Sequence, residues 1–489
     1  MQLGDRKLTL EDVARVARRG EPVSISPAAR ARITQARRHL QELMASGERI
    51  YGVNTGIGGN AGIALSADQL EALQHNLMHE LGCATGAPLP SDTVRAATLL
   101  RIATFVTGAS AVRPELVDAL AELLNRGVTP IVPRYGSVGA SGDLMPSAYI
   151  ARVLLGEGEA EFGGRRMPSV EALAAAEIAP IRFAPKEGLA LINGTTVMTG
   201  IAALIWLDAT RVLRALLGAV ALSIEALHAP ELPFAAWVHE QKGHPGQIAV
   251  AAFIREMLED SLYTRESGGQ ACYSLRCVPQ GLGQAWEALE DSRPTLEREI
   301  NSANDNPLID PESGVLYKAG NFYGGHIARL LDTWKLDFAA MANWANSVMA
   351  LLVDDRFSAG LPANLTPHPG VNSGFKGVQL SITSLTCAVR QMAGPSSIHS
   401  LPTEQYNQDV VSLGMHSAVT ALDCLECVRN LTAMLLLAAA QAIDLRGGPG
   451  ALGRGSREIY HAIREIADFE ESDRPKEREI AALARKLPG

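Results

Sequence analysis

Apolar residues in this chain fall mostly at helical spacing, in segments cut by polar and glycine-rich runs. Over residues 10–43 the pattern is helical and rich in charge. Four glycines within residues 50–60 then break it, and a loop so rich in glycine can move over a site. Helical patterns resume at residues 66–81, 92–106 and 114–126, and residues 156–166 read as a short hairpin. Residues 188–207 carry no charge and have the length to span a bilayer. Asn193-Gly194-Thr195-Thr196 interrupts them and Asp208 closes them, so they read as buried helix. Ala/Leu-rich segments continue at residues 210–227, 333–353 and 409–443. Helices apolar nearly all round must be covered on every side, which predicts a helical bundle whose centre is shared between subunits. A glycine cluster at residues 447–455 reads as a surface loop before a charged helix over residues 471–487. The expected fold is mainly α, a large helical-bundle core with a smaller N-terminal α+β part. Residues 1–200 form that N-terminal part and residues 201–489 the core and C-terminal helices, in one subunit without separable domains.

Composition narrows the function more than the fold. A formal charge of -9 and the lack of any basic cluster exclude a nucleic-acid footprint. The six cysteines are scattered, which suits a reducing cytoplasm. Cys424-x-x-Cys427 lies in a helical run with no second ligand pair and reads as a buried helix face, so no metal is expected. The N-terminal residues lack the apolar core of a signal peptide, and neither export nor a membrane partner is indicated.

The stretch that carries chemistry is Gly136-Ser137-Val138-Gly139-Ala140-Ser141-Gly142-Asp143-Leu144-Met145-Pro146. Its glycines permit a tight turn, and Asp143 with Pro146 reads as the cap and first turn of a helix. A nucleophile elbow would need glycine where Asp143 stands, and a phosphate loop would need Gly-Lys-Ser/Thr. A small-residue helix cap explains the stretch blandly. Another chemistry also suits it: attack of the Gly142 nitrogen on the Ala140 carbonyl, with loss of water from the ring and from Ser141, yields an electron-poor ring bearing a methylene. The stretch resembles the signature of the methylidene-imidazolone (MIO) family of ammonia-lyases and aminomutases.

Further motifs carry the same resemblance from about Leu10 to the C-terminus. Tyr51-Gly52-Val53-Asn54-Thr55-Gly56-Ile57-Gly58 is similar to the family loop whose tyrosine is the catalytic base. Lys186-Glu187-Gly188-Leu189-Ala190-Leu191-Ile192-Asn193-Gly194-Thr195 matches the run whose asparagine meets the substrate. Gln270-Ala271-Cys272-Tyr273-Ser274-Leu275-Arg276 resembles the run whose arginine clamps the substrate carboxylate, with Gln270 and Tyr273 beside it and Ala271 in place of an acidic residue. A planar guanidinium fork suits that task. Phe322, in Gly320-Asn321-Phe322-Tyr323-Gly324, would pack against the electrophile. Glu404-Gln405-Tyr406-Asn407-Gln408 resembles the phenylalanine and tyrosine branch, Gln408 standing where the histidine branch has glutamate, with Asn407 and Gln408 near the amine.

The resemblance implies a cytoplasmic homotetramer with shared active sites. Its electrophile would form from Ala140, Ser141 and Gly142 without metal or nucleotide. It implies elimination of ammonia from an aromatic or heteroaromatic L-α-amino acid, with Tyr51 as a base whose pKa neighbouring dipoles and cations must lower. Aminomutases use the same residues, so a 2,3-aminomutase stays open, as does an amine-lyase acting on a thione or betaine of histidine. Two departures concern the substrate. The selectivity pair is Glu80-Leu81, which matches none of the phenylalanine, tyrosine or histidine patterns, and Lys376 stands where the family has methionine or a small residue. Glu80 and Lys376 either pair in a buried pocket or recognise a polar substrate side chain.

Overall fold

The structure is a computed structural model and describes residues 1–264 and 270–488. Among the described residues it is 59% helical, with 18 α-helices and a few short strands. The chain divides into two compact units. The first comprises residues 1–204, 293–331 and 395–419, the second residues 205–292, 332–394 and 420–489.

All the strands lie in the first unit. Gln2–Leu3 pairs parallel with Ser24–Ile25, and Thr85–Pro88 pairs antiparallel with Pro133–Tyr135. The expected hairpin is Glu159–Phe162 with Arg165–Pro168, and Thr129–Pro130 adds a third strand. Leu308–Ile309 pairs with Leu316–Tyr317. The single helical pattern of residues 10–43 resolves into two helices. Leu10–Arg19 ends at Gly20, whose φ of 68° suits a left-handed cap, and Pro27–Ala45 starts at Ser26, whose side chain accepts from Ala29 N.

The centre of the first unit is Ser91–Val106, buried along nearly its whole length. Its Arg101 is 3% exposed and reaches a break between two helices, Glu187–Ile192 and Thr196–Ala226. The uncharged stretch is therefore not one helix. Arg101 Nη1 donates to the carbonyls of Ala190 (3.1 Å) and Asn193 (2.9 Å), and Nη2 to Thr196 Oγ1 (3.1 Å). Orphaned helix-end carbonyls thus gain a charged donor, which repays part of the cost of burying it. Two ion pairs, each on a buried carboxylate, fix the approach to the break. Glu187 takes a two-pronged contact from Arg113 (2.8 and 2.7 Å), and Lys186 meets Asp305 at 2.5 Å.

In the second unit Lys335 is buried against Asp332 (2.9 Å) and donates to Gly394 O (2.7 Å). Buried Glu225 accepts from Ser261 Oγ (2.6 Å) and Gly453 N (2.7 Å). Cys424 is fully buried in the helix Gly414–Leu445, and burial pushes its thiol up to about 12, as suits a core side chain. The charged C-terminal helix is Glu477–Arg485, shorter than its pattern. Asp473 before it instead accepts from the amides of Ser373 and Gly374, each at 2.7 Å.

Candidate active site

The Ala-Ser-Gly turn is held by the break between helices. Gly194 N donates to Ser141 O (3.1 Å), Asp143 N to Gly194 O (2.7 Å) and Leu144 N to Ile192 O (3.2 Å). Ser141 and Gly142 have φ of 54° and 81°, consecutive left-handed residues of which the first is not glycine. A Cβ on Gly142 would lie 2.0 Å from Gly194 O, so only glycine fits. The helix after the turn is Met145–Leu154, with Pro146 in its first turn. Asp143 does not cap that helix, contrary to the sequence reading. Its carboxylate accepts from Val197 N (2.5 Å) and Met198 N (3.2 Å), capping the helix on the far side of the break. Burial pushes this carboxyl up to about 7, against the pull of both amides and of Arg101.

The turn opens on a cavity of about 710 Å³ within the first unit. Tyr51, Leu81, Ala140, Ser141, Asn193 and Gln408 line it, with Glu80 and Glu404. Gln408 Nε2 lies 3.5 Å from Ser141 Oγ, while its Oε1 accepts from Thr403 Oγ1 at 3.0 Å. Asn193 is 2% exposed and its amide oxygen is buried without a partner, an unmet acceptor at the cavity wall.

Tyr51 Oη accepts from Gly58 N at 3.0 Å. The loop is anchored beneath, where Ile50 N donates to Asn54 Oδ1 (2.7 Å) and buried Gln74 Nε2 to Gly52 O (3.3 Å). Glu404 packs so close that a Cβ on Gly58 would sit 1.5 Å from its carboxylate oxygen. The expected lowering of the Tyr51 pKa is not found. Burial raises it, the Gly58 N–H pulls it down, and the Glu404 charge raises it further. No lysine or arginine stands among the described residues lining the cavity, and its acidic side chains are Glu80 and Glu404.

Gly142 forms the turn behind this wall, and six other expected residues do not line the cavity. Asn407 is exposed and Phe322 half-buried, both in the first unit. Gln270, Tyr273, Arg276 and Lys376 belong to the second unit. Tyr273 is 70% exposed, with the Arg276 guanidinium 4.8 Å from its ring centroid, and Arg276 Nε has no partner. Lys376 is exposed at the start of the helix Lys376–Met392, and Glu80 is exposed as well, so within the chain they are not the buried pair that was one expectation. Arg101 and Glu404 are the positions that sequence reasoning passed over. The signal for Arg101 was a lone charge inside Leu99-Leu100-Arg101-Ile102-Ala103.

The family model and the histidine ammonia-lyase relatives that share this helical scaffold make the chain a carbon–nitrogen lyase. The chain belongs to the aromatic amino acid lyase family, whose model, "Aromatic amino acid lyase", matches residues 8–465. It is 38% identical to a histidine ammonia-lyase of Geobacillus sp. (strain WCH70), over 99% of this chain and 95% of that one. The solved structure of the Pantoea agglomerans phenylalanine aminomutase superposes with a TM-score of 0.95 at 33% identity, covering 100% of this chain and 98% of its own. Ergothionase from Treponema denticola, an ergothioneine-degrading enzyme solved with desmethyl-ergothioneine sulfonic acid, does so with a TM-score of 0.92 at 28% identity, covering 100% and 98%.

Proposed function

We propose that this enzyme eliminates ammonia from an aromatic or heteroaromatic L-α-amino acid to give an arylacrylate, using a methylidene-imidazolone formed from Ala140, Ser141 and Gly142. The observation that carries the reading is the strained Ser141-Gly142 turn at the cavity wall. The residues fit the group. The backbone bonds of the turn use the Ser141 carbonyl and the Asp143 amide, on either side of the Gly142 nitrogen that would close the ring, and Gly142 leaves no room for a side chain. When formed, the group supplies an electron-poor methylene that takes up the substrate amine and improves it as a leaving group.

Tyr51 would take the β-proton at Oη, where the Gly58 N–H steadies the phenolate. The unmet Asn193 oxygen suits a donor such as the substrate amine, and Gln408 would hydrogen-bond beside it. Glu80 and Leu81 would meet the substrate side chain. The substrate carboxylate needs a cation, and the described residues lining the cavity include no lysine or arginine. Arg276, stacked on Tyr273 with an unpartnered Nε, would supply it from another copy in a homotetramer, with Gln270, Phe322, Lys376 and Asn407 drawn to the site by assembly. The helix Gly325–Val353 supports assembly: it is long and apolar enough to cross a membrane, yet only 44% of its most apolar window is buried. Neighbouring copies would cover the rest without a membrane. All six cysteines are free, consistent with the cytoplasm.

Two further readings have support of their own. The Pantoea agglomerans aminomutase favours a 2,3-aminomutase, and ergothionase favours an amine-lyase on a histidine-derived thione or betaine. Peptide mass spectrometry should find the segment containing residues 140–142 lighter than its sequence by two waters; an unmodified segment overturns the mechanism. With phenylalanine, tyrosine, histidine and the thione betaine of histidine supplied together, an arylacrylate establishes the lyase, a β-amino acid the mutase, and trimethylamine the third reading.

A further inference from the structure

We propose that His75, His79 and Glu157 form a binding site for one divalent transition-metal ion, beside the cavity and separate from it. His75 and His79 are four residues apart on the helix Leu70–Glu80, and so share a face. Their rings meet edge to face with centroids 4.3 Å apart. Both turn Nε2 toward one carboxylate: His75 lies 3.1 Å from Glu157 Oε1, and His79 2.9 Å from Oε2. The ligand atoms of all three lie within 4.8 Å of one another.

That convergence is close to what an ion requires. Bonds of about 2.0–2.1 Å at tetrahedral angles place ligand atoms roughly 3.3 Å apart, so the cluster closes with small side-chain movements. Two imidazoles and a carboxylate select zinc, copper or nickel over calcium or magnesium. All three side chains are partly exposed, which leaves water free to complete the shell. Among the described residues Arg152 is a competing cation at Glu157, its Nε 3.6 Å from Oε2. It also lies 5.6 Å from the Tyr149 ring centroid, so it has a second seat when the carboxylate turns to an ion.

One anchor lies on a helix that walls the cavity, and the other lies in the loop that follows a second such helix. The helix Leu70–Glu80 supplies Leu73, Asn76, Leu77 and Glu80 to the lining, and Glu157 follows the helix Met145–Leu154, which begins at lining residues Leu144 and Met145. A bound ion would clip these two walls together at the outer surface and restrict the helix that bears Glu80.

The test uses the full enzyme, stripped with a chelator and titrated with Zn²⁺ by calorimetry, and with Cu²⁺ by electron paramagnetic resonance. One ion per chain is expected, with nitrogen couplings from two imidazoles. His75→Ala and His79→Ala should each weaken binding by about tenfold or more. Glu157→Gln should weaken it while preserving the fold, as circular dichroism would show. Zn²⁺ should also slow hydrogen exchange over residues 70–80 in the parent enzyme and leave it unchanged in the double histidine variant. No ion bound at submillimolar metal, coupling to a single nitrogen, or undiminished affinity in the double variant overturns the proposal.

Discussion

At the scale of single residues the least expected finding concerns Tyr51. The elimination chemistry asks for an acidic phenol, whereas the chain by itself surrounds this one with burial and the Glu404 carboxylate, and both raise its pKa. The Gly58 N–H is the single group pulling the other way. A base whose proton is held tightly becomes active only as pH rises, so kcat/KM should climb with pH on an alkaline limb. Glu404 raises the phenol pKa through its negative charge, so removing that charge lowers it. In Glu404→Gln the rising limb should therefore move to lower pH, read from kcat/KM profiles of the two enzymes. A limb that stays in place would mean that the Tyr51 proton does not govern the rate. Tyr51→Phe sets the scale: it should lose roughly 10²–10⁴ of the rate while keeping the two-water mass deficit, because the base and the electrophile are separate groups.

At the scale of elements, the site is built where a helix stops and another starts. Asp143 ties the two sides together by capping Thr196–Ala226 from the Ser141 turn. Its pKa is raised from 3.8 to about 7 in the folded chain, so folding favours the protonated form. Below the unfolded value this costs nothing. As pH rises from about 4 to about 7, the unfolded chain loses its proton first and stability falls. Asp143→Asn cannot titrate and should flatten that part of the stability curve, measured by urea unfolding at both ends of the window. It should also lose about 1 kcal/mol of capping, because the amide offers one acceptor for two N–H groups. An unchanged slope would show that folding leaves the Asp143 pKa where it is in the unfolded chain. The same residue shows how far sequence reaches. The Ala140-Ser141-Gly142 turn was legible because its chemistry demands small residues in one local run. The target of the Asp143 cap was not, because its partners lie 54 and 55 residues away in sequence. Likewise the uncharged stretch read as buried helix interrupted at Asn193-Gly194-Thr195-Thr196, but what holds that break was not legible, since the guanidinium comes from Arg101 on another helix. His75 and His79 passed as ordinary helix residues, because only the fold brings Glu157 to them.

At the scale of the whole molecule, the proposed carboxylate clamp, Arg276, and the proposed base, Tyr51, are far apart in sequence, and the two fall in different units of the folded chain. The cavity that holds Tyr51 and Ser141 has no cation in its lining, and Arg276 has an unpartnered guanidinium nitrogen on a half-exposed side chain. A clamp borrowed from another copy reconciles these facts, and it makes a quantitative claim. Tyr51→Phe and Arg276→Ala should each retain no more than about 1% of the activity alone. If each site takes its tyrosine from one chain and its arginine from another, unfolding and reassembling an equal mixture of the two variants creates some sites with both groups intact. Random assembly gives each group an even chance of being the parent residue, so about a quarter of the sites should be complete. Steady-state activity of the reassembled mixture should approach that fraction of the parent enzyme, and size-exclusion chromatography should show tetramers. If both groups instead came from one chain, no mixture of the variants could contain an intact site, and reassembly would restore nothing.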